Sequence, residues 1–290
     1  MNGALIIAYH PEIGQIERLV ERIAPQVDRL LIVDNSQPPA GMASDLASQA
    51  AVIEPGANLG VAEAINRGVE ELLGQGAQRV LLLDQDSLPA ADMVTTLAAC
   101  LDDAGKQGRR VAAAGPVIRD QVSGKKAPFV RFALPFNRRF SGQQGAVACD
   151  FLITSGTLIN LQCWDQVGPM KGAWFIDNID LEWCFRARRA GFDILGCFDT
   201  CLEHAIGQPR YALPGKRLAY RHHGPERLHT MMRNRAFLYR SQAPVAWVVQ
   251  DLVRVAVKFA WFGLLVPPRW QNIRAMLRGL GEGLFRRPVP

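Results

Sequence analysis

The first 120 residues alternate short, uninterrupted apolar runs with longer segments in which apolar positions recur every three or four residues. The runs at residues 4–9, 30–33, 51–53, 80–83 and 111–114 have the length of buried strands, and the segments 13–23, 42–48, 61–73 and 91–104 carry helical periodicity. This β-α alternation predicts an α/β fold built on a mostly parallel central sheet covered on both faces, with ligands gathered at the carboxyl ends of the strands. Three polar clusters fall at such ends: Asp34-Asn35-Ser36, the stretch around Asn58, and Asp84-Gln85-Asp86.

The pattern breaks between residues 120 and 146 into Gly, Lys, Arg, Pro and Phe, which predicts an irregular loop or hairpin. Order returns with strand-like segments at 147–154 and 158–161 around Ser155-Gly156, a helix over 180–190 closed by Gly191, and a strand over 192–197. Beyond Pro244 a long apolar stretch is interrupted by Asp251, Arg254 and Lys258 at helical spacing. Charges in one stripe argue against a bilayer-spanning helix; they leave a helix lying in a membrane interface or one packed on the body. The expected organisation is one domain over 1–240, in two parts (1–119 and 120–240), followed by a basic, amphipathic helical tail over 241–290.

Charge sharpens the view of the tail. From Pro209 onward 15 Lys and Arg face three acids, so a local balance of +12 sits on a remainder of −6. A basic, apolar-rich end suggests an anionic membrane surface or a phosphorylated substrate. Nucleic acid is not expected as a partner, because no recognition-helix, RNA-binding or zinc-finger pattern accompanies the charge. The six cysteines lack Cys-x-x-Cys spacing, and Cys197 and Cys201 with His204 do not complete a zinc cluster, so reduced thiols in a cytosolic protein are expected. Met1-Asn2-Gly3-Ala4 leads directly into the first apolar run with no basic and long apolar leader, which agrees with a cytoplasmic location.

The most informative chemistry is Asp84-Gln85-Asp86-Ser87 after the run 80–83. Two carboxylates two residues apart at a strand end can hold one divalent cation and leave positions free for a diphosphate. A polar turn would use the same residues, so the surrounding motifs decide. Those motifs are Ala8-Tyr9-His10-Pro11, Val33-Asp34-Asn35-Ser36, Asn58-Leu59-Gly60-Val61-Ala62 with Asn66 and Gly68, Thr154-Ser155-Gly156-Thr157, Phe175-Ile176-Asp177-Asn178-Ile179-Asp180-Leu181-Glu182, His204-Ala205-Ile206-Gly207, and His222-His223-Gly224-Pro225-Glu226-Arg227 with Arg233-Asn234-Arg235.

In this order, over residues 4 to about 240, they resemble the family 2 inverting glycosyltransferases of GT-A fold, the Rossmann-like fold of nucleotide-diphospho-sugar transferases, and within them the rhamnosyltransferase branch. The resemblance implies transfer of L-rhamnose from dTDP-L-rhamnose to a hydroxyl of a cell-surface glycan or its lipid-linked precursor. A UDP-hexose or UDP-galactofuranose donor, or a non-catalytic binding role, are the alternatives. It also implies Asp180 as general base with Asp177 next; Asp84, Asp86 and His204 around Mg²⁺ or Mn²⁺; Tyr9, Asp34, Asn58, Gly60, Asn66, Asp84, Gln85 and Arg233 at the donor; and Ser155, Gly156, Trp174 and Glu182 at the acceptor. A position in the cytoplasm at the inner face of the plasma membrane would follow.

Overall fold

The computed structural model describes residues 1–121, 123–204, 210–212, 219–221, 224–241 and 243–286. The paired histidines 222 and 223 and residues 205–207 lie outside the described residues. The chain begins with β1 (Asn2–Ala8), α1 (Ile13–Ile23), β2 (Arg29–Asp34), α2 (Ala43–Leu46), β3 (Ala51–Ile53), α3 (Val61–Gly74), β4 (Arg79–Asp84), β5 (Ser87–Pro89) and α4 (Met93–Lys106). It continues with β6 (Val111–Asp120), β7 (Phe129–Arg131), β8 (Arg138–Phe140), β9 (Ala146–Cys149), β10 (Leu158–Asn160), α5 (Trp164–Val167), α6 (Ile179–Arg189), β11 (Asp193–His204) and α7 (Pro225–Arg240). Helices α8 (Val245–Leu264) and α9 (Arg269–Phe285) follow.

Nine strands form one sheet in the order β3-β2-β1-β4-β10-β6-β11-β5, with β9 pairing β11. Strands β1 to β4 are parallel, as the alternation requires. Antiparallel pairing enters where β10 joins β4 to β6 and where β5 and β9 pair with β11. Leu5, Leu31 and Val80 face one apolar layer, while Ile6, Ile32 and Leu81 face the other, so successive positions of each central strand must all be apolar.

Three elements differ from the sequence expectation. Strand β11 continues to His204 and β6 to Asp120, because the two run parallel over their whole length across an irregularity between Cys197 and Cys201. The expected strand over 147–154 stops at Cys149. There the chain turns instead, with Thr157 N–H bonded to the Thr154 carbonyl at 3.2 Å and Gly156 at φ +86°. The 120–146 segment contains the β7-β8 hairpin.

The tail packs on the body. Trp247 of α8 is 1% exposed, with its ring 5.7 Å from Phe185 and 5.9 Å from Tyr239. Asp251, which interrupts the apolar run, points inward: it accepts a 2.7 Å bond from Tyr239 Oη and pairs with Arg235 and Arg254. Helix α9 lies against α7 through Gly279 and Gly283, where added Cβ atoms would sit 2.2 Å from the His229 carbonyl oxygen and 2.3 Å from that of Arg233. Among the described residues no helix is long and apolar enough to cross a membrane.

Candidate active site

Strand pairing explains how three distant residues meet. The β11–β5 ladder sets His204 opposite Ser87, the residue after Asp86, and β4 ends at Asp84. His204 Nδ1 lies 3.4 Å from Asp86 Oδ1, and Nε2 lies 4.0 Å from Asp84 Oδ2. One ligand atom from each of the three residues falls within 4.8 Å of the others, and among the described residues no other acidic, His or Cys group converges in this way. Two carboxylates and one imidazole are a donor set that suits a divalent cation.

Ser87 and Ser155, the former quoted above without a role, brace this corner. Their hydroxyls are 2.5 Å apart, Ser155 Oγ accepts the Asp84 N–H at 3.2 Å, and Ser87 Oγ is 3.4 Å from His204 Nδ1. Burial pushes the Asp84 carboxyl from 3.8 up to about 6, with His204 opposing the rise and Asp86 adding to it. A cation bound between these groups would reverse that balance and favour the ionised pair.

The candidate base stands at the start of α6, after a backbone held far from ordinary conformations. Phe175 (φ 65°), Asp177 (φ 64°) and Asn178 (φ 63°) are all left-handed, and the Ile176 N–H reaches the Trp174 carbonyl at 2.7 Å to close a γ-turn of the rare, strained sense. Two devices hold it. Asn234 Nδ2 of α7 donates to the carbonyls of Trp174, Ile176 and Asp177 at 3.0, 2.7 and 2.9 Å. The Phe175 carbonyl in turn accepts the first N–H groups of α3, Val61 at 2.7 Å and Ala62 at 3.3 Å.

Asp180 Oδ1 accepts the Leu181 N–H at 2.8 Å. Burial pushes its carboxyl from 3.8 up to about 6; the Leu181 bond opposes this, and the neighbouring Asp177 and Asp84 carboxylates add to it. Asp177 has both oxygens engaged by the Arg227 guanidinium at 3.1 Å each. With Asp177 engaged, Asp180 is the acid of this turn whose carboxyl is raised toward neutral pH, a property that suits a general base.

The candidate donor residues Tyr9, Gln85 and Asn58 lie on a polar lip. Tyr9 is half exposed with its ring 4.4 Å from His10, and its N–H donates to Gln85 Oε1 at 2.6 Å. Asn58 Oδ1 accepts the Gly60 N–H at 2.9 Å, and Asn35 ties the same turn to β2 through the Leu59 N–H and the Gly60 carbonyl.

Several residues expected to touch ligands are buried or hydrogen-bonded within the protein. Asp34 is fully buried, and its two oxygens accept the N–H groups of Ser36 at 2.9 Å and Ala40 at 2.6 Å, so it shapes the 34–40 loop. Asn66 clamps both backbone groups of Met170 at 2.8 Å. Arg233 spends its guanidinium on the carbonyls of Ala173 and Trp174. Trp174 is buried against Phe237, as large aromatics usually are, and offers no open face to a sugar. Glu182 is buried in a two-point pair with Arg186, at 2.9 and 2.7 Å, and anchors α6. Gly156 provides a tight turn: at φ +86° an added Cβ would meet Pro116 at 2.9 Å.

Comparison with known proteins adds a second line of support. The family described as glycosyl transferase family 2 matches residues 4–153, just over half of the chain. The dTDP-rhamnosyl transferase RfbF of Shigella flexneri is 27% identical over 260 residues, covering 86% of this chain and 84% of that protein. GalNAc-T7, crystallised with UDP, GalNAc and Mn²⁺, superposes with a TM-score of 0.57 at 12% identity, covering 80% of this chain and 47% of that one. The chain thus spans about half the length of GalNAc-T7. Residues 1–349 of S. aureus TarS, in complex with UDP-GlcNAc, superpose with a TM-score of 0.60 at 15% identity over 96% of this chain and 81% of that one. These likenesses establish a shared fold.

Proposed function

The chain belongs to glycosyl transferase family 2 and has the GT-A fold, and from that premise we propose that it transfers L-rhamnose, with inversion, from dTDP-L-rhamnose to a hydroxyl of a cell-surface glycan or its lipid-linked precursor. The observation that carries the reading is the convergence of Asp84, Asp86 and His204 on one side of the cleft with Asp180 close enough to Asp84 for the two carboxyls to perturb each other. The donor identity rests on the likeness to RfbF over most of both chains.

Asp84, Asp86 and His204 would hold Mg²⁺ or Mn²⁺, with the imidazole favouring Mn²⁺. When bound, the cation neutralises charge that develops on the departing diphosphate. Asp180 takes the acceptor hydroxyl proton as that oxygen attacks the anomeric carbon, and the bond from that carbon to the diphosphate breaks on the opposite face, so a single displacement inverts the centre. Tyr9, Gln85 and the Asn58–Gly60 turn line the nucleotide side. The acceptor enters beside Ser155, where an apolar cavity of about 150 Å³ opens between Pro116, Phe129 and Leu152. Six cysteines without Cys-x-x-Cys spacing suit a reducing, cytoplasmic setting.

The test is turnover of a donor panel by the purified protein with Mn²⁺: dTDP-rhamnose, UDP-GlcNAc, UDP-glucose and UDP-galactofuranose. Release of dTDP alone is the expected outcome. Turnover of a UDP sugar with none of dTDP-rhamnose would overturn the donor assignment, and no turnover of any would favour a binding role.

A further inference from the structure

Helix α8 has one face in the core and another that is apolar and open. Trp247, Asp251, Val255 and Phe262 are buried. Val245, Val249, Leu252, Val253, Val257 and Leu264 are 45–73% exposed, spaced so that they share one face with no charge among them. A helix that packs on a body and faces water carries polar residues on that outer face; this one does not. Next to it, Gln250 Nε2 donates to the Ala133 carbonyl at 2.8 Å, which fixes the tip of the β7-β8 hairpin against α8. That tip exposes Leu134 (55%) and Phe136 (83%), with Arg138 and Arg139 exposed just behind. Helix α9 exposes Trp270 (75%), Leu277 (57%) and Phe285 (88%) interleaved with exposed Arg269, Arg274, Arg278 and Arg286.

The exposed charges of α8, α9 and the hairpin tip have one sign. Asp251, the single acid of α8, is 0% exposed beneath Arg235 and Arg254. Glu282, the single acid of α9, is turned toward His229 at 3.2 Å. An apolar stripe rimmed by arginines and aromatics, with its acids withdrawn, is complementary to a layer whose interior is hydrocarbon and whose surface is anionic. A two-fold pairing of this face with a second copy would set arginine rows against arginine rows with no acid between them.

We propose that α8, α9 and the tip of the β7-β8 hairpin form a docking surface for an anionic lipid bilayer, with α8 lying in the plane of the interface. The hairpin continues into the wall beside Ser155, through Phe129 and Val130, so the docked protein has its acceptor side next to the lipid. The inference does not rest on the donor being dTDP-rhamnose, because vesicle binding is read without catalysis.

The experiment is co-sedimentation of the full chain with phosphatidylcholine vesicles and with vesicles that also contain phosphatidylglycerol. The expected result is partitioning onto the anionic vesicles that weakens as salt is raised. Val253→Glu with Val257→Glu, both at exposed positions that leave the folded far-UV spectrum unchanged, should lower partitioning at least about tenfold. Arg274→Gln and Arg278→Gln should lower it roughly fivefold each on anionic vesicles and leave the residual binding to neutral ones unaltered. Absence of wild-type binding to either vesicle, or equal binding by the double glutamate variant, would overturn the proposal. A dimer in sedimentation equilibrium that the glutamates dissociate, without vesicle binding, would assign the face to a second copy and overturn it as well.

Discussion

Asp180 is expensive to keep ionised where it stands, and that expense is informative. Its carboxyl is raised from 3.8 to about 6 by burial and by the neighbouring acids. Well below pH 4 the folded and unfolded chains both hold this proton, and well above pH 6 both have lost it, so the penalty grows from about pH 4 and is full only above about pH 7. Two pH units correspond to about 3 kcal/mol, and partial solvent access reduces this to about 1–3 kcal/mol. Asp180→Asn keeps an oxygen for the Leu181 N–H and never ionises. It should therefore raise the melting temperature at pH 8 and leave it unchanged at pH 3, while kcat falls about 10²- to 10⁴-fold and donor affinity holds. Thermal melts at both pH values with steady-state kinetics check this, and a variant as active as wild type would remove Asp180 from the mechanism. For the wild-type enzyme the same shift requires kcat/KM to rise with pH through about 6 and then level off.

At the scale of elements, the candidate base is positioned by a helix start that does not belong to its own half of the protein. Helix α3 begins at Gly60, whose φ of +78° and missing Cβ let the Phe175 carbonyl close on the Val61 N–H at 2.7 Å. An added Cβ would lie 2.4 Å from the Phe175 ring and 2.8 Å from that carbonyl oxygen. Gly60→Ala must either displace the strained 175–178 turn or leave the α3 start uncapped. The expected cost is about 1–3 kcal/mol of stability, from the positive φ and the lost backbone contacts, read by urea denaturation. Because the turn leads into Asp180, kcat should fall more than KM changes. A loss confined to KM would mean that Gly60 serves only the nucleotide lip. Asn234 works on the other side of the same turn, and Asn234→Asp, which keeps the shape but loses the donor, should show the same pattern as Gly60→Ala.

For the molecule as a whole, the sequence made legible what local chemistry repeats and hid what long-range pairing decides. The parallel half was readable because β1, β2 and β4 are buried on both faces and must be apolar throughout, and Asp84 and Asp86 stood out as charges just past such a run. The continuation of β11 was hidden by Asp199 and Thr200, polar residues at the irregularity where β11 steps past β6. Without that continuation nothing in the sequence carries His204 to Ser87. Nor can composition tell a polar side chain facing a cleft from one satisfying nearby backbone: Asp34 and Asn66, expected at the donor, hydrogen-bond the backbone of Ser36, Ala40 and Met170.

The long-range pairing also makes a prediction of its own. The cation site takes Asp84 from the end of β4, Asp86 from the short link to β5, and His204 from the end of β11, so an ion there ties a central strand to the edge of the sheet. Binding to the folded chain alone stabilises it by about 2.7 kcal/mol at a hundredfold excess over Kd, on the order of a 5 °C rise in melting temperature. Mn²⁺ added to the chelator-treated protein at pH 7.5 should produce that rise. The rise should shrink as pH falls through about 6, where Asp84 takes up its proton. Asp86→Asn should abolish the rise while leaving the metal-free melting temperature equal or slightly higher, since it removes one of two facing carboxylates. His204→Ala should weaken the rise without removing it, because both carboxylates remain. If Mn²⁺ stabilises the Asp86→Asn variant as much as wild type, the ion binds elsewhere and the assignment of this corner to the leaving diphosphate fails with it.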